Sequence, residues 1–323
     1  MKWLGLTLVL SSALVTTNAI ADCKTRTIFK QPVVTGTKGN FCVKCNFPPG
    51  HFNIVQWESN PQSADGGDVP TDRDIGHKTG FHPAVNKETT QVSLRNTNVS
   101  SGAQMAGRTV GAYINSADLP NGAPSNKFII TPSIMFKPGT HAFNGLDRGD
   151  RINVSFDLQV PVAGDEHKPL STTYVVSDLD FTNPETRASF YVNEMVFHNA
   201  VERPNEWVFL DPDTKMAVVL GVDSPSSQYA TFRSKSASYQ KRPWIGWKHF
   251  SYSIDQMQFH SALLAVQHKY PGIKLSDDVA DWDLTHWHLN AELLFKSGPA
   301  EMGWSMRKAA VTLTSCGMQA AQT

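Results

Sequence analysis

Four polar side chains with chemical potential occupy alternate positions near the C-terminus: His286, His288, Asn290 and Glu292. Side chains alternate between the two faces of a β-strand, so these four share one face if this stretch is a strand. The residues between them are apolar and predict its buried face (Trp287, Leu289, Ala291, Leu293 and Phe295). Two imidazoles, an amide and a carboxylate in one row are typical of the wall of a binding cleft. The alternative is an ordinary solvated face.

A second carboxylate of interest, Glu194, lies in Ser189–His198, whose pattern also predicts a strand. The alternation separates two faces of that strand (Phe190, Val192, Glu194, Val196 and His198 against Tyr191, Met195 and Phe197). Glycoside hydrolysis uses two carboxyl groups that flank the scissile bond, one protonating the leaving oxygen and one attacking or guiding water. Strands of one curved sheet can present such a pair across a groove, so Glu194 and Glu292 are candidates for these two roles.

Two further acids, Asp178 and Asp180, fall on one face of the predicted strand Thr173–Phe181, together with Tyr174 and Val176. They are candidates for orienting the nucleophile or a sugar hydroxyl. The alternative is that they are solvated acids near a strand end.

Two tryptophans, Trp244 and Trp247, flank an Ile-Gly pair. An aromatic face can meet the C–H groups of a sugar ring, so both are candidates for a stacking platform. The alternative is that they belong to the core, where tryptophan is common.

A metal site is the weaker interpretation of the two histidines. His286 and His288 have a spacing that can chelate zinc or copper when a third ligand such as Glu292 joins them. Two neighbouring histidines alone are poor support for a metal. The sequence therefore favours a site with no metal and no other cofactor.

The elements that must position these residues are mainly strands. Arg151–Val160 alternates almost perfectly between apolar and polar residues, which is typical of an antiparallel strand with one buried face. A single helix is predicted over Ser253–Tyr270, where Ser253 and Gln256 form a capping-box pattern and Pro271-Gly272 follows the last turn. Many strands, one helix and no βαβ alternation predict an all-β fold, a two-sheet antiparallel β-sandwich.

The N-terminus predicts export. Residues 1–21 combine Lys2, an apolar run and Ala19-Ile20-Ala21, as a secretory signal peptide does. The four cysteines of the exported chain allow three full pairings and favour structural disulfides (Cys23, Cys42, Cys45 and Cys316). The predicted organisation is a signal peptide (1–21), an irregular, disulfide-linked segment (22–90), a β-sandwich domain (91–315) and a tail (316–323). The expected location is extracellular or periplasmic.

Composition limits the partners. The chain has 29 basic and 29 acidic side chains, and loss of the signal peptide removes only Lys2. No broad basic surface is predicted, which argues against nucleic acid, and a neutral balance suits an uncharged partner. After the signal peptide, no apolar stretch approaches the ~20 residues of a membrane-spanning helix. We expect a monomer with no membrane span.

The order of these features resembles the concanavalin-like β-jelly-roll proteins, most closely glycoside hydrolase family 12. The resemblance covers roughly residues 151–313: Glu194 in an aromatic and aliphatic strand, the helix, then Glu292 before Phe295 and Gly298, and a final strand. It implies a concanavalin-like jelly roll with the helix on its convex, outer face. It also implies a secreted endo-β-glycan hydrolase of the retaining type, with Glu194 as nucleophile and Glu292 as acid/base.

Two alternatives stay open on the same scaffold. One is a non-catalytic carbohydrate-binding or adhesion protein, in which both glutamates only hydrogen-bond sugar hydroxyls. The other, less favoured by the residue pattern, is a polysaccharide lyase. In each case the partner is a polysaccharide or oligosaccharide.

Overall fold

The computed structural model describes residues 22–31, 41–42, 52–59, 68–70, 82–86, 91–95, 102–106, 108–115, 126–146, 149–164, 171–199, 206–211, 215–222, 227–232, 239–295 and 300–317. The predicted signal peptide, Cys45 and the end of the predicted tail lie outside these residues.

The described strands form two nine-stranded sheets. The first sheet contains β1 (Asp22–Lys30), β5 (His82–Asn86), β6 (Gln91–Arg95), β7 (Gly102–Ala106), β8 (Thr109–Asn115), β10 (Arg151–Ala163), β15 (Thr231–Phe232), β16 (Trp244–Asp255) and β18 (Glu301–Gly317). The second sheet contains β2 (Phe41–Cys42), β3 (Phe52–Ser59), β4 (Asp68–Pro70), β9 (Asn126–Met135), β11 (Ser171–Thr182), β12 (Ser189–His198), β13 (Trp207–Leu210), β14 (Ala217–Val222) and β17 (Asp283–Phe295).

Strand pairing is antiparallel throughout the described ladders except for two parallel pairs, β2 with β3 and β12 with β14. The first sheet runs in the order β15-β16-β10-β18-β8-β7-β6-β5, with β1 beside β18. The second sheet runs β13-β14-β12-β11-β17-β9-β3-β2, with β4 beside β3. The predicted two-sheet β-sandwich of the jelly-roll type is confirmed.

The main core lies between the sheets and follows the alternation of the sequence. On β10 the even-numbered residues from Ile152 to Val160 are fully buried, and Phe156 stacks on Phe250 of β16 at 5.6 Å between ring centroids. Phe156 also meets Trp287 of the second sheet at 6.0 Å. Large aromatic side chains thus join the two inner faces, and their burial is the chief stabilising contribution.

A single helix, α1 (Gln256–Lys269), follows β16 directly. Its N-cap is Asp255, whose carboxylate accepts a hydrogen bond from the backbone amide of Gln258. In return, Oε1 of Gln258 accepts a hydrogen bond from the backbone amide of Asp255. The capping box therefore begins two residues after the predicted Ser253. Among the described residues, α1 is not long or apolar enough to cross a membrane.

The apolar side of α1 belongs to the main core. Phe259 packs against Phe181 and Phe190, on the side of the second sheet that faces the core, at centroid distances of 4.5 and 5.5 Å. The helix was predicted on the outer face of the sandwich. In the structure it covers the core-facing side of this sheet and shares the main core.

The described parts of residues 22–90 are strands of the sandwich. β1 and β5 join the first sheet and β2, β3 and β4 join the second, where an irregular segment was predicted. A disulfide between Cys23 and Cys316 fastens β1 to β18, across 293 positions of sequence. The prediction that a disulfide ties the N-terminal segment is confirmed by this bond.

Candidate functional site

The outer surface of the second sheet carries a group of polar side chains that we call the outer polar face (Tyr174, Asp178, Asp180, Asn193, His286, His288, Asn290 and Glu292). The register of β11 against β17 sets several of them opposite one another (Asp180 with His286, Asp178 with His288, Tyr174 with Glu292). Trp287 and Leu289 of β17 are buried in the main core, so the alternate residues of that strand point away from it. The predicted polar row on β17 is thus a structural unit.

At one end of the outer polar face, the hydroxyl of Tyr174 donates a hydrogen bond to Oε2 of Glu292. Glu292 is only 6% exposed. Burial, with the nearby Glu292 carboxylate, holds the pKa of Tyr174 well above its ordinary value, so the phenol keeps its proton. His198 of β12 stacks on the Tyr174 ring, with centroids 5.9 Å apart. The Tyr174–Glu292 pair is thereby fixed from two sides.

In the middle of this face, the Asn290 side-chain amide donates to Oδ2 of Asp178. Asp178 is 3% exposed and lies opposite Asn193 of β12 in the strand register. Oδ1 of Asn193 is buried and has no hydrogen-bond partner within the described residues. This part of the face therefore holds an amide oxygen able to accept one further bond.

At the other end, Asp180 faces two imidazoles. Nε2 of His288 lies 2.9 Å from Oδ2 of Asp180, and Nδ1 of His286 lies 3.6 Å from the same oxygen. The two rings are stacked with centroids 5.5 Å apart. Burial lowers the pKa of His286, an effect that the Asp180 carboxylate opposes and His288 reinforces.

An apolar cluster borders the Tyr174 end. Val176, Met195 and Leu220 pack together outside the main core, with Tyr174 and Tyr239 among the rings against them. The outer surface of the second sheet thus combines a polar row with an adjacent apolar patch.

Glu194 lies on the other side of the same sheet. Its cross-strand partner is Ser177, whose hydroxyl bonds to Tyr252 and to Trp287 inside the main core. Glu194 itself is fully buried. Because β11 separates β12 from β17, and Glu292 lies three residues further along the sheet than the position opposite Glu194, the backbones of the two glutamates are about 14 Å apart, and their side chains point to opposite faces.

The geometry expected for the Glu194–Glu292 pair is therefore wrong. Retaining hydrolysis needs two carboxyl groups about 5–5.5 Å apart, around one bond. Two carboxylates on opposite faces of a sheet cannot flank one bond.

The two tryptophans also lie elsewhere. Trp244 packs edge-on against Phe197 at 5.8 Å and donates from Nε1 to the Leu158 carbonyl, so it belongs to the border of the main core. Trp247 lies on the outer surface of the first sheet, with the Arg307 guanidinium 4.3 Å above its ring. Neither joins the outer polar face, so a stacking platform built from these two tryptophans would lie apart from it.

Two members of the face were missed as site residues by the sequence analysis, Tyr174 and Asn193. Tyr174 carries a signal in hindsight, because it alternates with Asp178 and Asp180 on one strand. Asn193 carries none, since its place beside Asp178 depends on the register between two strands.

Comparison with known proteins leaves the chain without a family. No protein-family model matches it, and no curated protein is significantly similar to it. Solved structures that it matches include a family 11 xylanase from Neocallimastix patriciarum, with 11% identity, coverage of 73% of this chain and 95% of the xylanase, and a TM-score of 0.31. The adhesin domain of Epf from Streptococcus pyogenes matches with 8% identity over 88% of this chain and 64% of its own, with a TM-score of 0.35. A family 12 glycoside hydrolase matches with 14% identity over 74% and 97%, with a TM-score of 0.31. At these TM-scores the matches establish neither a family nor an activity.

Proposed function

We propose that the protein binds a neutral polysaccharide or oligosaccharide on the outer polar face. One observation carries this proposal: buried hydrogen-bonding groups are concentrated on an outer surface. Asn290 donates to Asp178, Tyr174 donates to Glu292, and the amide oxygen of Asn193 has no partner among the described residues. Buried polar groups without a partner are costly, so a face of this kind suits a ligand that supplies hydrogen bonds.

A sugar hydroxyl fits this chemistry because it both donates and accepts. Carboxylate and amide oxygens accept from hydroxyls, and the Asn290 amide donates. The apolar patch at Val176 and Met195 offers a surface for the C–H groups of a sugar ring. Binding sites commonly combine an apolar surface with a few placed polar groups.

Charge narrows the ligand class. Three carboxylates lie on the outer polar face, those of Asp178, Asp180 and Glu292. Like charges juxtaposed across an interface are unfavourable, so uronate-rich or sulphated glycans and phosphate polymers suit the face poorly. A neutral glycan carries no such cost. An exported protein is consistent with the Cys23–Cys316 disulfide.

Hydrolysis is the second candidate, with a different pair of acids from the predicted one. Asp178 and Glu292 share the outer polar face and both are more than nine-tenths buried, with their backbones four residues apart along the sheet, about 13 Å. A hydrolase on this scaffold would need such a same-face pair. Glu194 has no place in that chemistry, because it lies in the core.

The proposal is tested by affinity gel electrophoresis and titration calorimetry with soluble β-glucan, xyloglucan, xylan and mannan. We expect retardation by at least one neutral glycan, with weaker binding by the variants Asn193→Ala and Glu292→Gln. The matched control is Trp247→Ala, which removes an aromatic ring from the outer surface of the first sheet and should leave binding unchanged.

Reducing-end release from the same polymers separates the two candidates. Binding without new reducing ends supports a binding protein. Release that is lost in both Asp178→Asn and Glu292→Gln would establish the hydrolase. If the protein binds none of the neutral glycans, or if glycan binding is lost only in Trp247→Ala, the outer polar face is rejected as the binding surface.

A further inference from the structure

Three metal-ligand side chains converge at the Asp180 end of the outer polar face. Nε2 of His288 and Nδ1 of His286 lie 2.9 and 3.6 Å from Oδ2 of Asp180. One ligand atom from each of the three residues lies within 4.8 Å of the other two. Two imidazoles and one carboxylate on adjacent strands therefore surround a common point.

The local pairing of the strands aims these side chains. The register of β11 and β17 shifts between Asp180 and Phe181, which makes Thr285 an extra residue in β17. Such bulges turn neighbouring side chains and are frequent beside functional sites. The Thr285 hydroxyl donates to the Asp180 carbonyl at 3.1 Å and holds the two strands together at this point.

Asp180 has unused bonding capacity. It is 8% exposed, and its Oδ1 is buried with no hydrogen-bond partner within the described part of the chain. A carboxylate oxygen left without a partner beside two imidazoles is costly in a folded protein, unless something else binds it.

We propose that Asp180, His286 and His288 bind a divalent first-row transition-metal ion. Zinc bonds to histidine nitrogen and carboxylate oxygen are about 2.0–2.2 Å long, which puts tetrahedral ligand atoms about 3.4 Å apart. The two measured separations, 2.9 and 3.6 Å, bracket that value. Imidazole ligands select zinc, copper, nickel or iron, whereas calcium and magnesium take oxygen ligands.

The third ligand differs from the one that the sequence suggested. Glu292 lies four residues beyond His288 on the same strand, a distance of about 13 Å, and it bonds to Tyr174 instead. Three protein ligands leave at least one coordination position for water or a ligand hydroxyl. The proposed metal site does not depend on sugar binding.

The site is tested on tag-free, chelator-treated protein by titration calorimetry with zinc chloride. We expect one zinc ion to bind per chain and calcium chloride not to bind. We also expect zinc to raise the temperature of thermal unfolding, because an ion that binds only the folded state stabilises the folded state. Each of the variants Asp180→Asn, His286→Gln and His288→Gln should weaken zinc binding by at least about tenfold, as loss of a ligand costs no less than loss of its supporting contacts.

The matched control is His141→Gln. His141 also lies 3.0 Å from a carboxylate, that of Asp283, but it belongs to no three-ligand group within the described residues. The His141→Gln variant should bind zinc as the parent chain does.

If Asp180→Asn or His288→Gln does not fold, as judged by circular dichroism, the test depends on His286→Gln, because His286 is the more exposed histidine. Failure of the parent protein to bind zinc, or unchanged affinity in His286→Gln, overturns the proposal. Glycan binding is measured separately and can fail without affecting this outcome.

Discussion

The side chain of Glu194 lies directly against Gly221, its neighbour across the parallel pair of β12 and β14. A Cβ built on Gly221 would lie closer to both carboxylate oxygens of Glu194 than van der Waals contact allows. The absent side chain at position 221 thus provides the space that the buried carboxylate occupies.

Replacing that glycine should therefore strain the core. We expect Gly221→Ala to lower the free energy of unfolding by about 1–3 kcal/mol, the usual cost of overpacking. Urea denaturation measures the change. Gly272→Ala is the matched control, because nothing lies within 4 Å of a Cβ at that position, and it should change stability by no more than about 0.5 kcal/mol. Equal effects of the two substitutions would contradict the packing described.

The two glutamates should respond differently in binding. Glu292→Gln should weaken binding of the glycan identified by the polymer panel by about tenfold, equivalent to about 1.4 kcal/mol. Glu194→Gln should leave affinity within about twofold, because its side chain lies in the core on the opposite face. Calorimetric titration of both variants checks this. Similar losses in both would restore the idea of a shared groove.

Loss of the Tyr174 hydroxyl should destabilise the fold. Tyr174→Phe removes the donor that bonds to the buried Glu292 carboxylate, and leaving a buried acceptor short of a bond costs about 1–3 kcal/mol. Urea denaturation again provides the measurement. Tyr270→Phe is the control, since that hydroxyl makes no hydrogen bond within the described residues, and a comparable loss there would refute the assignment.

Removal of the disulfide should lower the stability of the fold. The variant that replaces both Cys23 and Cys316 with serine frees β1 from β18 and should lose about 2–5 kcal/mol of stability, the usual range for a native disulfide. Thermal unfolding of both proteins without reductant tests this. An unchanged unfolding temperature would mean that pairing between β1 and β18 suffices alone.

The stability of the fold should decrease as the pH falls below 6.5, because His198 is buried in the folded state. Burial lowers the pKa of this imidazole from its ordinary value of 6.5, so the unfolded chain takes up the proton first as the pH falls. The contribution is fully present above pH 6.5 and is lost as the pH drops through the folded-state pKa. Urea midpoints at about pH 7.5 and about pH 5.5 should differ less in His198→Gln than in the parent protein. The same difference in both would exclude His198 as the cause.

Local alternation predicted much of this architecture. The buried face of β17 and the inner face of β10 follow directly from residues two apart, because one side of each strand packs in the core. The same rule had placed Glu194 with Phe190 and Val192, and the structure agrees. The error lay in assigning a carboxylate on that apolar face to a groove.

Contacts between strands could not be predicted in the same way. Asp180 reaches His286 and His288 only because β11 and β17 pair in one particular register, with Thr285 as an extra residue. A shift of one position would send every side chain of a strand to the other face. Register between strands more than a hundred residues apart is set by the packed sheet, and no local pattern in the sequence encodes it.

The bond between Cys23 and Cys316 also determines how the molecule responds to tension. A pull applied before Cys23 and after Cys316 passes through one covalent link, and the sandwich between them carries no load. Under reducing conditions the same pull would act on the hydrogen bonds between β1 and β18. The redox state of one cysteine pair therefore decides whether force reaches the pairing of β1 with β18 in the first sheet.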